Sequence, residues 1–187
     1  MSEPEPGEGR RTLREVDGDA IALAARLLGS ARHGTLAVLE AGGGHPLASR
    51  TAFACDTDGA PIILVSRLAA HTAALEADPR CSLLVGEPGS GDPLAHPRMT
   101  LIARARPLER GTDEGARARE RFLAAHPKSA LYADFADFSF WRIEAARASL
   151  NGGFGRAWLL EGEPLRSALA AAATGVPPGR APGAQPQ

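Results

Sequence analysis

LASRTAFACDTDGAPIILVSRLAAHTAALEADP, residues 47–79, reads as strand, tight turn, strand and short helix in immediate succession. Leu47–Cys55 (LASRTAFAC) mixes small, β-branched and aromatic residues, as a half-buried strand does. Asp56–Pro61 (DTDGAP) carries the Asp-Gly chemistry of a hairpin turn, and Ile62–Val65 is an apolar run fit for a second, buried strand. Ser66 ends that run where a helix would begin. Leu68–Ala77 (LAAHTAALEA) is an Ala/Leu helix stopped by Asp78-Pro79, because the residue before proline avoids the helical region.

Upstream, Asp17 and Asp19 are capping residues, and Ile21, Ala24, Ala25 and Leu28 make one apolar stripe of a helix reaching about Arg32. Thr35–Glu40 reads as a buried strand and Ala41–Pro46 as a Gly-rich loop. Downstream, Cys81–Gly86 is a strand, and Glu87–Pro97 is a long polar loop of a length that is often functional. Arg98–Arg106 alternates Met99, Leu101, Ala103 and Ala105 with a more polar face, the pattern of an antiparallel strand. Glu114–His126 predicts a charged helix anchored by Phe122 and Leu123, and Lys128–Phe135 one further helical turn. Phe138–Leu150 returns to strand, Asn151–Gly155 (NGGFG) turns the chain, and Ala157–Leu160 closes it. About six strands joined mostly by hairpins, with helices inserted, make an α+β fold around an antiparallel sheet or barrel.

Three segments follow from composition. Residues 1–16 are polar and bear Pro and Gly, so they are expected to be disordered; 17–162 form the domain; 163–187 form an Ala/Pro/Gly-rich tail, with Pro164–Ala173 able to form an Ala-rich helix. Of 187 residues, 44% are hydrophobic, which excludes a disordered protein and supports one cored domain. No window approaches the ~18 uninterrupted apolar residues of a membrane helix, and the acidic start MSEPEPGEGRR lacks the pattern of a secretory signal. Twenty-one Lys plus Arg against 22 Asp plus Glu give no broad pull on nucleic acid. With only Cys55 and Cys81 there is no disulfide framework. A cytoplasmic protein with neither membrane nor nucleic acid as partner is expected.

The chain holds no GxSxG elbow, phosphate-binding GxxxxGK[ST] loop or HExxH pair, and its five histidines are scattered singly, so no metal site is expected and no catalytic residue is assigned. The informative groups lie between Leu47 and Gly86. Arg50 sits mid-strand among small neighbours; Ser66 and Arg67 stand at the strand-to-helix junction; His71 and Thr72 fall on the first turns of the helix. A helix N-terminus favours an anion, and a hydroxyl, a guanidinium and an imidazole there, with Arg50 reaching in from the adjacent strand, make a phosphate cradle. The competing reading is that Ser66 only caps the helix, Arg67 is solvated and His71 covers the sheet. NGGFG likewise reads either as a ligand-approaching backbone or as a plain hairpin turn, and Phe140 with Trp141 as site aromatics or as a buried pair at a barrel seam or dimer interface.

The blocks LASRTAF, PIILVSRLAAHTAALEADPRCSLLVGEPGSGDPLAHPRMTL, RFLAAHPKSALYADFADFSFWRI and ASLNGGFGRA together resemble the pyridoxamine 5′-phosphate oxidase-like family, and within it the haem-utilisation (HugZ-type) subgroup, over about residues 20–160. The resemblance implies a split β-barrel homodimer with FMN in a groove between subunits, and hydride or electron transfer between that flavin and a small substrate. It implies that Arg50, Thr51, Ser66, Arg67, Leu68, His71 and Thr72 serve the phosphate and ribityl chain, with backbone near Ala48–Thr51 and Leu64–Ser66 facing the ring. Trp141, Asn151, Gly152, Gly153 and Arg156 are the expected contacts with ring or substrate, or from the partner. The alternative it leaves open is a non-catalytic haem- or flavin-binding protein. The strand SRTAFA carries a single arginine, so pyridoxal phosphate synthesis is not expected. No histidine follows His126, so haem ligation from a C-terminal segment is not expected either.

Overall fold

The computed structural model describes residues 13–174. The readings made for residues 1–12 and 175–187 lie outside them. Seven strands are present: β1 (His33–Leu39), β2 (Pro46–Cys55), β3 (Pro61–Ser66), β4 (Arg80–Val85), β5 (Arg98–Pro107), β6 (Phe138–Asn151) and β7 (Ala157–Glu161). Every pairing is antiparallel. The order β3-β2-β1-β4-β5-β6 closes on itself through a β3–β6 seam, and β7 adds to the free stretch of β6. This six-stranded closed barrel with an extra strand is the split-barrel α+β fold that the sequence predicts.

Alternation fills the interior. Leu36, Leu83, Leu101 and Ala148 stand opposite one another on β1, β4, β5 and β6, all fully buried, while their chain neighbours point outward. At the seam, Trp141 faces Ile63 and joins the interior cluster, whereas Phe140 faces Leu64 and points out into a second cluster. The aromatic pair is therefore a seam element whose two rings serve opposite sides of the wall. A register shift between Ile102 and Ala103 places Ala146 as an extra residue on β6, which bends the wall locally.

Four helices flank the barrel: α1 (Gly18–Ser30), α2 (Ala70–Ala77), α3 (Asp113–Ala125) and α4 (Gly162–Ala173). Asp17 caps α1, accepting from Ala20 N at 2.8 Å, and Thr112 caps α3, accepting from Gly115 N at 3.1 Å. Ala118 and Phe122 of α3 pack on the outward faces of β2, β3 and β6 against Ala54, Ile62 and Phe140. The Ala-rich helix expected at Pro164–Ala173 forms most of α4; its Leu165, Ala168 and Ala172 are buried, and it packs along α1. The segment Lys128–Phe135 supplies a 3₁₀ turn, Pro127–Leu131, in place of an α-helical one. Among residues 13–16, Arg14 N donates to Ala157 O at 2.9 Å and so tethers the segment to β7.

The β2–β3 hairpin is clamped from beneath. Asp56, 1% exposed, accepts from Arg142 Nη1 at 2.6 Å and from Thr57 N at 2.7 Å, with Arg117 Nε at 3.4 Å; Arg142 also pairs with Asp58. A buried carboxylate is tolerated here because each of its oxygens has a charged donor.

The remaining outer wall carries no helix among the described residues. Two rows of outward residues cross it: Arg50, Thr35, Leu84, Thr100 and Ser149, and beside them Ala48, Ala37, Ser82, Ile102 and Arg147. Small and apolar side chains dominate this face, and Leu84 is 38% exposed on it.

Candidate functional site

Where α3 ends, the covered and uncovered walls meet, and a groove of about 390 Å³ opens between them. Outward residues of β2 (Arg50, Ala52), β3 (Leu64, Ser66) and β6 (Phe138) form its floor, and Tyr132 with Phe122 form an aromatic wall. Arg50 is exposed at the rim and has no hydrogen-bond or ion-pair partner among the described residues, so its guanidinium is free to meet an anion. Thr51 lines the groove but is 7% exposed, and its hydroxyl donates to Ala52 O at 3.2 Å.

The helix-cap reading of Ser66 requires correction. α2 starts at Ala70, its N-cap is Ala69, and no side chain caps it. Ser66 instead heads a turn: its carbonyl accepts from Ala69 N at 3.0 Å and from the Thr72 hydroxyl at 2.6 Å. Ser66 Oγ accepts from Leu68 N at 3.1 Å and donates to Asp137 Oδ2 at 2.8 Å. Arg67 is drawn the same way, its N donating to Asp137 O at 2.8 Å and its Nη2 to Ala136 O at 3.1 Å. Thr72 is 1% exposed and serves the turn, while Leu68 is 89% exposed and does not line the groove. The Ser66–Thr72 segment is thus latched to residues 136–137, a carboxylate included.

His71 lines the groove from the other side, with Nδ1 3.2 Å from Ser49 Oγ. Burial lowers its pKa from the ordinary 6.5, so at neutral pH the imidazole is uncharged and acts as a hydrogen-bonding group rather than a counter-ion. Burial also pushes the Cys55 and Cys81 thiols up to about 11, which leaves neither as a nucleophile at neutral pH.

The second cluster forms the β6–β7 turn. Asn151 Oδ1 accepts from Gly153 N at 2.9 Å, Gly152 N donates to Arg156 O at 2.8 Å, and Arg156 Nη2 donates back to Gly152 O at 2.9 Å. Gly153 has φ +100°, and a Cβ there would stand 2.6 Å from Ala95 O; one on Gly152 would stand 2.8 Å from Trp158. Both glycines are therefore required by the turn's own packing. Trp141 is 5% exposed in the barrel interior, its Nε1 donating to Ser139 Oγ at 3.0 Å, and it does not line the groove.

One chain does not bring the two clusters together. Arg50 and Ser149 stand at opposite ends of one cross-barrel row, four strand spacings apart, or roughly 19 Å at about 4.8 Å each. Tyr132 and Phe138 line the groove, and Ser49 and Asp137 hydrogen-bond its His71 and Ser66, without having been singled out from sequence. The aromatic density of LYADFADFSFW was the available signal for Tyr132 and Phe138, but only the β3–β6 seam brings Phe138 to Ser66, with Tyr132 packed against its ring.

The family model described as pyridoxamine 5′-phosphate oxidase matches residues 22–152. The chloroplastic heme oxygenase HOZ of Arabidopsis thaliana is 40% identical over 120 residues, 64% of this chain and 36% of that protein. Among solved structures, the heme binding protein from Mycobacterium smegmatis is 34% identical with a TM-score of 0.73, covering 84% of this chain and 62% of that one. The heme storage protein HutZ from Vibrio cholerae, 21% identical with a TM-score of 0.60 over 73% of this chain and 94% of its own, shares the fold. The chain thus spans about a third of the plant relative and under two thirds of the mycobacterial one.

Proposed function

The chain belongs to the pyridoxamine 5′-phosphate oxidase family, and on that premise we propose that it binds FMN in the Arg50 groove, completed by a second copy, and transfers hydride or electrons between flavin and a small substrate. The observation that carries this reading is the groove's position. It opens at the border of a helix-free sheet face, with an unpaired guanidinium on the border itself. A flat ligand seated there is walled by aromatics on one side and open on the other. An isologous pair of chains stacked face to face, with its two-fold axis along the strands, sets the Arg50 edge of each copy against the β6–β7 edge of the other. The separation of the two clusters within one chain is then the geometry such a pair needs.

In this reading Arg50 meets the phosphate, His71 offers a neutral hydrogen bond to phosphate or ribityl, Ser66 does so once its hydroxyl proton turns away from Asp137, and backbone near Leu64 faces the ring. Thr51 lines the groove from β2, Arg67, Leu68 and Thr72 shape the adjoining turn, and Trp141 holds the seam beneath it. Asn151, Gly152 and Gly153 arrive from the second copy. FMN, when bound, supplies the redox chemistry; the protein orients it and excludes water. Among the described residues no helix is long and apolar enough to cross a membrane, and we place the protein in the cytoplasm with no membrane or nucleic-acid partner.

A second reading, a haem- or flavin-binding protein without turnover, is favoured by the heme-binding description of the mycobacterial relative. The absorbance spectrum of the protein as purified, followed by addition of NADH or NADPH, separates the two. We expect flavin bands that bleach on addition of the nicotinamide and return in air. A haem spectrum, or flavin bands unmoved by either donor, selects the second reading.

A further inference from the structure

The β6–β7 turn borders a second cavity, about 500 Å³, that is distinct from the groove. Two guanidiniums, Arg98 and Arg156, line it with Asn151, and no carboxylate does. Both are held by backbone carbonyls: Arg98 Nη1 donates to Leu94 O at 3.1 Å and His96 O at 3.2 Å, and Arg156 to Gly152 O. Each keeps donors without a partner among the described residues, Nε and Nη2 on Arg98 and Nη1 on Arg156. Arg156 also lies over the Trp158 ring, 5.8 Å from its centroid, which fixes the guanidinium plane further. Preorganised forks of this kind suit a carboxylate, because little side-chain freedom remains to be lost when it binds.

The other side of the cavity is apolar and open. Phe154 is fully exposed and Leu94 is 70% exposed, both at the rim. Large apolar side chains left bare beside paired cations are the complement of an amphipathic anion.

We propose that this cavity binds the carboxylate of an organic acid with an apolar body, the acid group between Arg98 and Arg156 and the body against Phe154 and Leu94. This names a substrate class for the flavoprotein and in that role rests on the reading above; the binding itself does not depend on it.

Calorimetric titration of the full-length protein, with FMN present, by octanoate and by octanol tests it. Octanoate is expected to bind saturably at one per chain, and octanol at least tenfold more weakly. Arg98→Gln and Arg156→Gln are each expected to weaken octanoate roughly tenfold or more. Phe154→Ser, at a side chain with no packing to lose within its own chain, weakens octanoate several-fold. Octanol binding as tightly as octanoate overturns the proposal. So does wild-type octanoate affinity in both Arg98→Gln and Phe154→Ser, including the case where Phe154→Ser only lowers the mass measured by light scattering, since the rim is then a contact between copies. A protein that takes up octanoate but never FMN defeats the flavin reading alone, and one that binds FMN but ignores octanoate defeats this proposal alone.

Discussion

Arg50→Ala weakens FMN binding by roughly 10- to 100-fold while leaving thermal stability within about 0.5 kcal/mol of the parent. Hydrogen bonds to a charged partner contribute about 1.5–3 kcal/mol, and tenfold in affinity is about 1.4 kcal/mol. Arg50 is exposed on the groove rim and makes no hydrogen bond within the described chain, so its removal leaves no buried group unsatisfied. Asp137→Asn moves affinity the other way. Its carboxylate lies 2.8 Å from Ser66 Oγ and repels a phosphate dianion brought to that hydroxyl. The amide keeps an acceptor for Ser66 and loses the charge, so FMN tightens. Fluorescence titration with FMN and with riboflavin, which lacks the phosphate, reads both effects: the riboflavin constants stay put in both variants. A riboflavin loss equal to the FMN loss in Arg50→Ala places the side chain at the ring and contradicts the phosphate assignment.

Gly59→Ala is the substitution expected to harm the fold most, costing about 3 kcal/mol or more. Gly59 tips the β2–β3 hairpin with φ +87°, and a Cβ there would stand 1.8 Å from Leu169 O. That oxygen belongs to the α4 backbone and has no rotamer to yield by. Hairpin and helix must separate, while Asp56 beneath the hairpin is held by Arg142 and resists the movement. Gly42 supplies the control, since it has the same φ of +87° and nothing within 4 Å of its Cβ position. Gly42→Ala therefore shows backbone strain alone, about 1 kcal/mol. Urea unfolding followed by circular dichroism separates the two. Equal midpoint shifts in both variants contradict the packing of α4 on the hairpin.

Much of the barrel was legible because local patterns carried it. Asp-Gly before Pro61 marked the hairpin, alternation from Met99 to Ala105 marked a wall with one buried face, and both appear as read. The helix after Ser66 was misjudged at its start for a physical reason. A serine at a strand end signals a cap, yet Thr72 takes the Ser66 carbonyl and Asp137 takes its hydroxyl, so the turn closes before α2 begins. Asp137 lies 71 positions away in the chain and left no local mark. Tyr132 and Phe138 did leave a mark in their aromatic stretch, but it does not show that the β3–β6 seam pairs Phe138 with Ser66 and that Tyr132 packs against the Phe138 ring. The Ala-rich helix read at Pro164–Ala173 forms α4, and its alanines are the small residues that let it lie close along α1. A Cβ on Gly29 would stand 3.0 Å from Ala172 O.

The claim on which the rest stands is that one flavin site is built from two chains. Light scattering coupled to gel filtration, run during titration with FMN, tests it most directly. The account predicts a particle of twice the chain mass that saturates at one FMN per chain. Saturation with flavin at the mass of a single chain, or a dimer that takes up none, contradicts it.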